Sequence, residues 1–393
     1  AGEPRLDLVF AVSAFFDRFC RHDAKPFSYS MNPICSQLPG KANYRSLVPD
    51  CVNEKPGPAS IIGGQSLNTG LNSVVVRAPA RLHLGFLDLN GELGRNFGSM
   101  GLAISEFCTR IRVSKATTPH VSGPDSERAR RYIERLEVLL SLDGAHRVEI
   151  AEAIPDHAGL GSGTQLALAL AAAIRKLHHM PLDVGGDAFR LGRGRRSGVG
   201  IGLFNSGGVV VDGGCKDPSR AAPIVSRIPF PDEWRIVLVL DRKRTGVHGE
   251  EERSVFARLP PFAAADAAHI CRLVLMQALP ALVEADLTSF AAAIKDMQTI
   301  LGAYFARLQG GFFASREVAA AMEVLESEGA VGIGQSSWGP TAFAFARSGN
   351  EARRLIDVAR NDPRCRAVDI HACKGINRGA EIEADAVVTV PNP

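Results

Sequence analysis

The spacing of apolar and polar positions changes character along the chain. Residues 1–72 carry one periodic apolar segment, 6–20, in a background of Pro, Ser, Asn and Gly. They read as an N-terminal extension, partly irregular, outside the main body. From Ser73 the pattern sharpens. S-V-V-V-R-A-P and R-L-H-L-G-F-L-D predict two strands broken at Pro79, because proline removes a ladder donor. A Gly-rich loop is expected over 94–101 and a strand over Thr109–Ser114. Pro124–Leu142 has helical spacing, with Leu136, Leu139 and Leu140 on one face and Arg and Glu on the other. Val148–Ala153 predicts a strand, Gly161–His178 a helix, and 185–214 a Gly-rich stretch ending in V-V-V-D.

A second block starts near 223. Trp234–Leu240 predicts a central strand, and 262–307 predicts Ala- and Leu-rich helices interrupted at Pro280. A helix over Phe313–Ser327, strands over Val331–Gln335 and Thr341–Ala346, a helix over 349–360 and a strand over 364–372 complete the pattern. Strands and helices alternate in both halves, which indicates an α/β or α+β class built in layers. The expected organisation is the extension 1–72, a first domain over 73–222 and a second over 223–393.

Composition narrows the function classes. The 393 residues are 46% hydrophobic and 22% charged, enough for two cored domains. A formal charge of +3 and 6% aromatic residues, not interleaved with the basic ones, argue against a nucleic-acid partner. Eight cysteines form no C-x-x-C pair, so they read as reduced thiols of a cytoplasmic protein rather than a zinc or redox motif. No segment reads as the ~18 apolar residues of a membrane span. Leu6–Phe16 is flanked by Glu3 and Asp7 against one Arg5, the wrong charge pattern for a signal peptide.

The chemistry concentrates at 155–165, P-D-H-A-G-L-G-S-G-T-Q, just before the helix-forming run L-A-L-A-L-A-A-A-I. A helix start leaves amide N–H groups unpaired and carries partial positive charge. Glycines let the backbone approach a ligand closely, and Ser162 and Thr164 add hydroxyls. Such a turn suits a phosphate or diphosphate. Common alternatives fail: Thr164 replaces the last Gly of G-x-G-x-x-G, no Walker lysine follows, and Leu160 breaks the nucleophile elbow. R-L-G-R-G-R-R-S-G holds Arg190, Arg193, Arg195 and Arg196, which either clamp an anion or line a solvated helix face. Arg81 and His83 are two apart on one strand and share a face.

P-x-x-x-G-L-G-S-G-T resembles the second motif of the GHMP kinase superfamily. P-A-R-L-H-L-G at 79–85 and G-I-G-Q-S-S-W-G-P-T at 332–341 look like its first and third motifs, in the right order. The departures fall where kinases hold nucleotide: Gly163 stands for a second Ser, and Thr164 for Ala. R-A-P-A-R-L-H-L-G-F-L-D, A-G-L-G-S-G-T-Q, R-S-G-V-G-I-G-L-F-N-S-G-G and G-Q-S-S-W-G-P-T are together similar to the β-ribofuranosylaminobenzene 5′-phosphate synthases.

That resemblance implies an α+β fold of the GHMP kind: an N-terminal domain like ribosomal protein S5 domain 2, a ferredoxin-like C-terminal domain, and a cleft between them. It implies a decarboxylating phosphoribosyl transfer to 4-aminobenzoate or 4-hydroxybenzoate in tetrahydromethanopterin biosynthesis. Mg²⁺ is expected with the donor, with no organic cofactor, small-molecule substrates, and a homodimer. An ATP-dependent small-molecule kinase is the alternative. The expected phosphate-binding residues are Gly159, Gly161, Ser162, Gly163, Thr164, Arg195 and Arg196; the expected catalytic ones are Arg81, His83 and Asp88, with His83 either protonating the leaving diphosphate or assisting the ring intermediate. Gln335, Ser336, Ser337 and Thr341 are expected at the substrate, with His248 and Glu251 as contacts for substrate or Mg²⁺, or as helix-start carboxylate and neighbour only. Trp338 either stacks on the aromatic acid or plugs its turn.

Overall fold

The computed structural model describes residues 71–217, 219–243, 246 and 259–386. They fall in one compact unit, Ser66–Pro393. The periodic segment 6–20, His248 and Glu251 lie outside the described residues.

Two long strands open the fold, β1 (Leu71–Asp88) and β2 (Phe97–Ala116), paired antiparallel. The two strands expected around Pro79 are one. The register shifts between Pro79 and Ala80, so the missing amide falls at a bulge, where no ladder bond is required. There follow β3 (His120–Ser122), α1 (Ser126–Leu139), β4 (Ala145–Glu152), α2 (Ser162–Leu177), α3 (Val184–Arg190), α4 (Val199–Ser206), β5 (Val209–Asp212) and β6 (Ile224–Ile228). The second half contains β7 (Arg235–Asp241), α5 (Ala264–Leu273), a π turn at Val274–Ala278, α6 (Leu279–Glu284), α7 (Leu287–Gln309) and α8 (Arg316–Ser327). It closes with β8 (Val331–Gln335), β9 (Thr341–Ala346), α9 (Gly349–Asn361), β10 (Val368–Cys373) and β11 (Glu381–Ala386).

The first sheet has seven strands, ordered β11-β1-β2-β4-β3, with β5 on β2 and β6 on β5. It draws β6 and β11 from beyond residue 222. The second sheet is antiparallel in the order β10-β7-β9-β8, a β-α-β-β-α-β arrangement with the ferredoxin-like order 4-1-3-2.

The helical break expected at Pro280 lies instead at Ala285, which takes a left-handed conformation, followed by the Asp286 cap of α7. Pro280 sits inside the continuous helical run 264–284, just after the π turn, which loosens the ladder where its N–H is missing. The span Ala264–Glu284, with mean hydropathy 1.3, is long and apolar enough to cross a membrane, contrary to the sequence expectation. One side of it, Ile270, Val274, Ala278 and Leu282, is spent on the protein core.

That core lies between the sheets. Leu82, Leu84, Met100 and Leu102 of the first sheet meet Ile236, Leu238, Phe343 and Phe345 of the second around Phe290, Ile294 and Met297 of α7. Each large side chain buried this way contributes about 1.5–3 kcal/mol. The outer face of the first sheet packs on α1 and α2, and that of the second on α8 and α9. The core thereby fixes one end of β1 against the loops before α2 and after β8.

Candidate active site

α2 is buried along almost its whole length by alternating Leu and Ala, so its position is rigid. Its N-cap is Gly161, at φ 84°, which has no side chain to offer; no side chain caps the helix and no acidic residue occupies its first turn. The positive helix end is therefore left for an anion from outside. Two residues earlier, Gly159 has φ +80°, and a Cβ there would stand 2.2 Å from the Ser336 carbonyl oxygen. Only glycine lets the two loops meet backbone to backbone. Ser336 Oγ donates to the Gly159 carbonyl at 2.8 Å and accepts the His83 N–H at 3.0 Å. Arg81 Nη1 donates to the same carbonyl at 2.7 Å, and the Arg81 amide to Leu160 O at 3.0 Å. The three motif segments singled out in the sequence are thus joined through one carbonyl.

A cavity of about 440 Å³ opens at this junction, lined by Arg81, Arg128, Arg131 and Arg193 together with Ser162, Gly163, Thr164, Ser337 and the carboxylate of Asp156. Arg128 reaches over from α1. Its Nη2 pairs with Asp156 at 2.5 Å and its Nη1 donates to Ser162 Oγ at 3.3 Å. Partial burial pushes the Asp156 carboxyl up, but the Arg128 hydrogen bond and charge outweigh it and hold the group below the usual carboxylate range. Arg193 packs over the Tyr132 ring, and its Nη2 contacts the Tyr132 hydroxyl. Its Nε is buried with no partner among the described residues. A Cβ at position 163 would lie 2.9 Å from Arg193 Nη2, so the glycine that replaces the kinase serine leaves room for a guanidinium.

Arg81, Gly159, Gly161, Ser162, Gly163, Thr164 and Ser337 line this cavity. Arg195, Arg196 and Asp88 do not come with them. The Arg195 guanidinium lies over the Phe189 ring, 5.9 Å from its centroid, and neither Arg195 nor Arg196 is among the described residues lining the cavity. Gly192 and Gly194, at φ 74° and 77°, turn the chain so that only Arg193 of this run points in. Arg190 pairs with Asp183 and Asp187. Asp88 ends β1, and its Oδ1 accepts the amides of Asn90 and Gly91 at 2.7 and 3.1 Å; it holds the hairpin turn rather than the cleft. Arg128, Arg131 and Asp156 were not foreseen. The signal was the i,i+3 pair Arg128 and Arg131 on the Arg and Glu face of α1.

A second, narrower cavity of about 40 Å³ adjoins the first, sharing Ser337 and Trp338 as walls. His83, Phe86, Phe305, Phe312, Gln298 and Gln335 line it. His83 is 3% exposed. Burial, and then the charge of Arg81, pull its imidazole down to about 3. It is neutral at physiological pH, so it is a hydrogen-bonding group and not the acid expected from the sequence. Its Nε2 has no partner among the described residues. The Gln335 side chain bonds Ala314 N, Gln309 and Ser337 O, and Gln298 bonds Leu84 O and the Gln335 amide. Trp338 is buried with its ring against Phe305, centroids 4.6 Å apart, so it closes its turn while walling both cavities. Thr341 is fully buried at the start of β9 and lines neither cavity; its carbonyl accepts the Ser336 amide and closes the loop. No group of three His, Cys, Asp or Glu side chains capable of holding a metal occurs among the described residues.

Two family models match the chain: GHMP kinases N terminal domain over residues 127–205, and GHMP kinases C terminal over 278–364. A curated relative from Archaeoglobus fulgidus, named beta-ribofuranosylphenol 5′-phosphate synthase, is 35% identical over 78% of this chain and 99% of its own length. The chain belongs to the β-ribofuranosylphenol 5′-phosphate synthase family. A further member, from Methanocaldococcus jannaschii, is 33% identical over 74% of this chain and 93% of its own. Membership makes the chain a pentosyltransferase-type enzyme on a kinase-superfamily fold. That fold also appears in solved structures. Homoserine kinase from Cytophaga hutchinsonii matches with TM-score 0.60 at 16% identity, covering 82% of this chain and 100% of that one. Mevalonate diphosphate decarboxylase from Staphylococcus aureus matches with TM-score 0.58 at 18% identity, covering 80% and 98%. The family's name carries a phenol where the sequence resemblance implied an aminobenzene.

Proposed function

We propose that this chain transfers phosphoribosyl from 5-phosphoribosyl 1-diphosphate to a para-substituted benzoate, 4-hydroxybenzoate or 4-aminobenzoate, with loss of CO₂ and diphosphate. The phenol in the relatives' name favours the hydroxy acid. The observation that carries this reading is the convergence of four arginines, Arg81, Arg128, Arg131 and Arg193, on an uncapped helix start. Such a site suits a ligand with several phosphate charges, because guanidinium forks bind phosphate oxygens bidentately.

In the reaction the ring carbon bearing the carboxylate attacks ribose C1. The C1–O bond to diphosphate breaks and its electron pair leaves with the diphosphate. The ring carbon–carboxylate bond then breaks, returns its electrons to the ring and releases CO₂. No external acid is required, in keeping with a neutral His83. The arginines stabilise charge that grows on the leaving diphosphate, where preorganised donors act most strongly. Asp156 holds Arg128 in place and is the one carboxylate among the described residues lining the cavity. Mg²⁺ would arrive on the donor's diphosphate and add neutralising charge there, and Asp156 would be the carboxylate able to reach it if it released Arg128. A cytoplasmic homodimer completes the reading.

The kinase alternative is disfavoured by Gly163 and by the guanidinium beside it. The test is product identity. Incubation with phosphoribosyl diphosphate, Mg²⁺ and 4-hydroxybenzoate is expected to give a carbon-linked riboside phosphate that survives hot acid. An acid-labile O- or N-riboside, or an ATP-dependent phosphorylated product, would contradict the proposal.

A further inference from the structure

The narrow cavity beside the arginine site has the composition of a ring pocket. Its walls are Phe86, Phe305, Phe312, Leu301 and Trp338, and its polar lining is three glutamines, Ser337 and one histidine. The glutamine amides are engaged with one another and with backbone, so they shape the pocket and have little left for a ligand. His83 differs. Its ring is tilted against Phe86, centroids 4.6 Å apart, and its backbone N–H is anchored to Ser336 Oγ. Yet its Nε2 is buried and unpartnered among the described residues. A buried polar atom without a partner is costly, and native structures keep one mainly where a ligand completes it.

We propose that this pocket receives the para end of the acceptor's aromatic ring, the rest of which lies in the mouth shared with the arginine cavity at Ser337 and Trp338, and that His83 Nε2 accepts a hydrogen bond from its para hydroxyl or amino group. The inference rests on the function proposed above and deepens it. The orientation follows from the two cavities. The ring carbon that attacks ribose C1 must face the arginine site, so the opposite, para, position points away from it into the aromatic pocket. Positive charge passes to the para heteroatom when the ring carbon bonds to C1, and its O–H or N–H becomes a stronger donor. A neutral imidazole with its proton on Nδ1 presents an acceptor there and tightens its bond as that charge develops. A protonated imidazole would repel it. Deep burial and the neighbouring Arg81 keep the ring neutral. His83 is thus a specificity-determining contact rather than a proton donor.

The test pairs two acceptors with one variant. 4-Fluorobenzoate matches 4-hydroxybenzoate closely in size but has no hydrogen to donate. In the wild-type protein its inhibition constant is expected to be at least about tenfold weaker than the dissociation constant of 4-hydroxybenzoate. In His83→Phe this difference should shrink to about twofold, with acceptor kcat/KM down at least about tenfold and the KM for phosphoribosyl diphosphate unchanged. His83→Gln, which restores an acceptor atom, should recover part of the loss. Equal binding of the two acids by wild-type protein would overturn the proposal without any variant, as would discrimination that persists in folded His83→Phe. Failure of the underlying function would look different: no turnover of either acid by wild-type protein.

Discussion

The Gly159 carbonyl accepts Ser336 Oγ at 2.8 Å, joining the loop before α2 to the loop after β8. The same hydroxyl accepts the His83 amide, so one serine ties the two loops to β1. Ser336→Ala removes the donor for one buried group and the acceptor for another. A loss of about 1–3 kcal/mol in unfolding free energy is expected, read by denaturant titration. Activity should fall further than stability alone explains, because the loops forming both cavities lose their common tie.

Gly159→Ala should be worse. The left-handed backbone strains any side chain, and the new Cβ would meet the Ser336 carbonyl oxygen at 2.2 Å. Strain of this type costs about 1–3 kcal/mol before the clash is added. Ala substitution at Gly144, also at positive φ but with nothing within 4 Å, gives the comparison: strain without the clash, and no loss of activity. Thermal melts and turnover of the two variants separate the contributions.

The arginines should divide sharply. Arg128→Ala and Arg193→Ala each remove a charged donor facing the cavity, and KM for the phosphoribosyl donor is expected to rise roughly 10- to 100-fold. Arg195→Ala, whose guanidinium rests on Phe189, should leave it within about twofold. Initial-rate kinetics with varied donor checks this.

His83 supplies a pH dependence whose sign is fixed. Its folded-state value, about 3, lies below the ordinary histidine value of 6.5. Between these two values the unfolded chain binds the proton and the folded one does not, so stability falls as pH drops from 6.5 towards 3. No such contribution exists above that window. The slope from this group approaches roughly 1.4 kcal/mol per pH unit. His83→Phe should flatten the stability profile between about pH 6 and 4, measured by urea unfolding at fixed ionic strength.

The parts legible in the sequence were those fixed by local pattern. β8 and β9 fall on the expected residues because their apolar runs are short and bounded by Gly and Pro. α2 and the motif turn ahead of it were readable from helix-forming Leu and Ala after Gly. The misreadings have two causes: a partner distant in sequence, or a turn whose direction the residue pattern does not show. Arg128 looks like solvent-facing polarity until Asp156, on another element, closes on it. Arg193 cannot be told from Arg195 without the two glycine turns that aim them apart. His83 looks like a general acid until the core around it is assembled and removes its charge. Asp88 shares a strand with Arg81 and His83, but it stands at the far end, where the hairpin turn claims its carboxylate.

The most direct measurement uses 4-hydroxybenzoate carrying carbon-14 in its carboxyl group. Purified protein is incubated with it, Mg²⁺, and phosphoribosyl diphosphate present or absent, and the released CO₂ is counted. Release that requires the donor, and that Arg193→Ala depresses at low but not at saturating donor, is the expected result. No release with the donor present, for this acid and for carboxyl-labelled 4-aminobenzoate alike, would contradict the assignment of the arginine cavity to phosphoribosyl transfer.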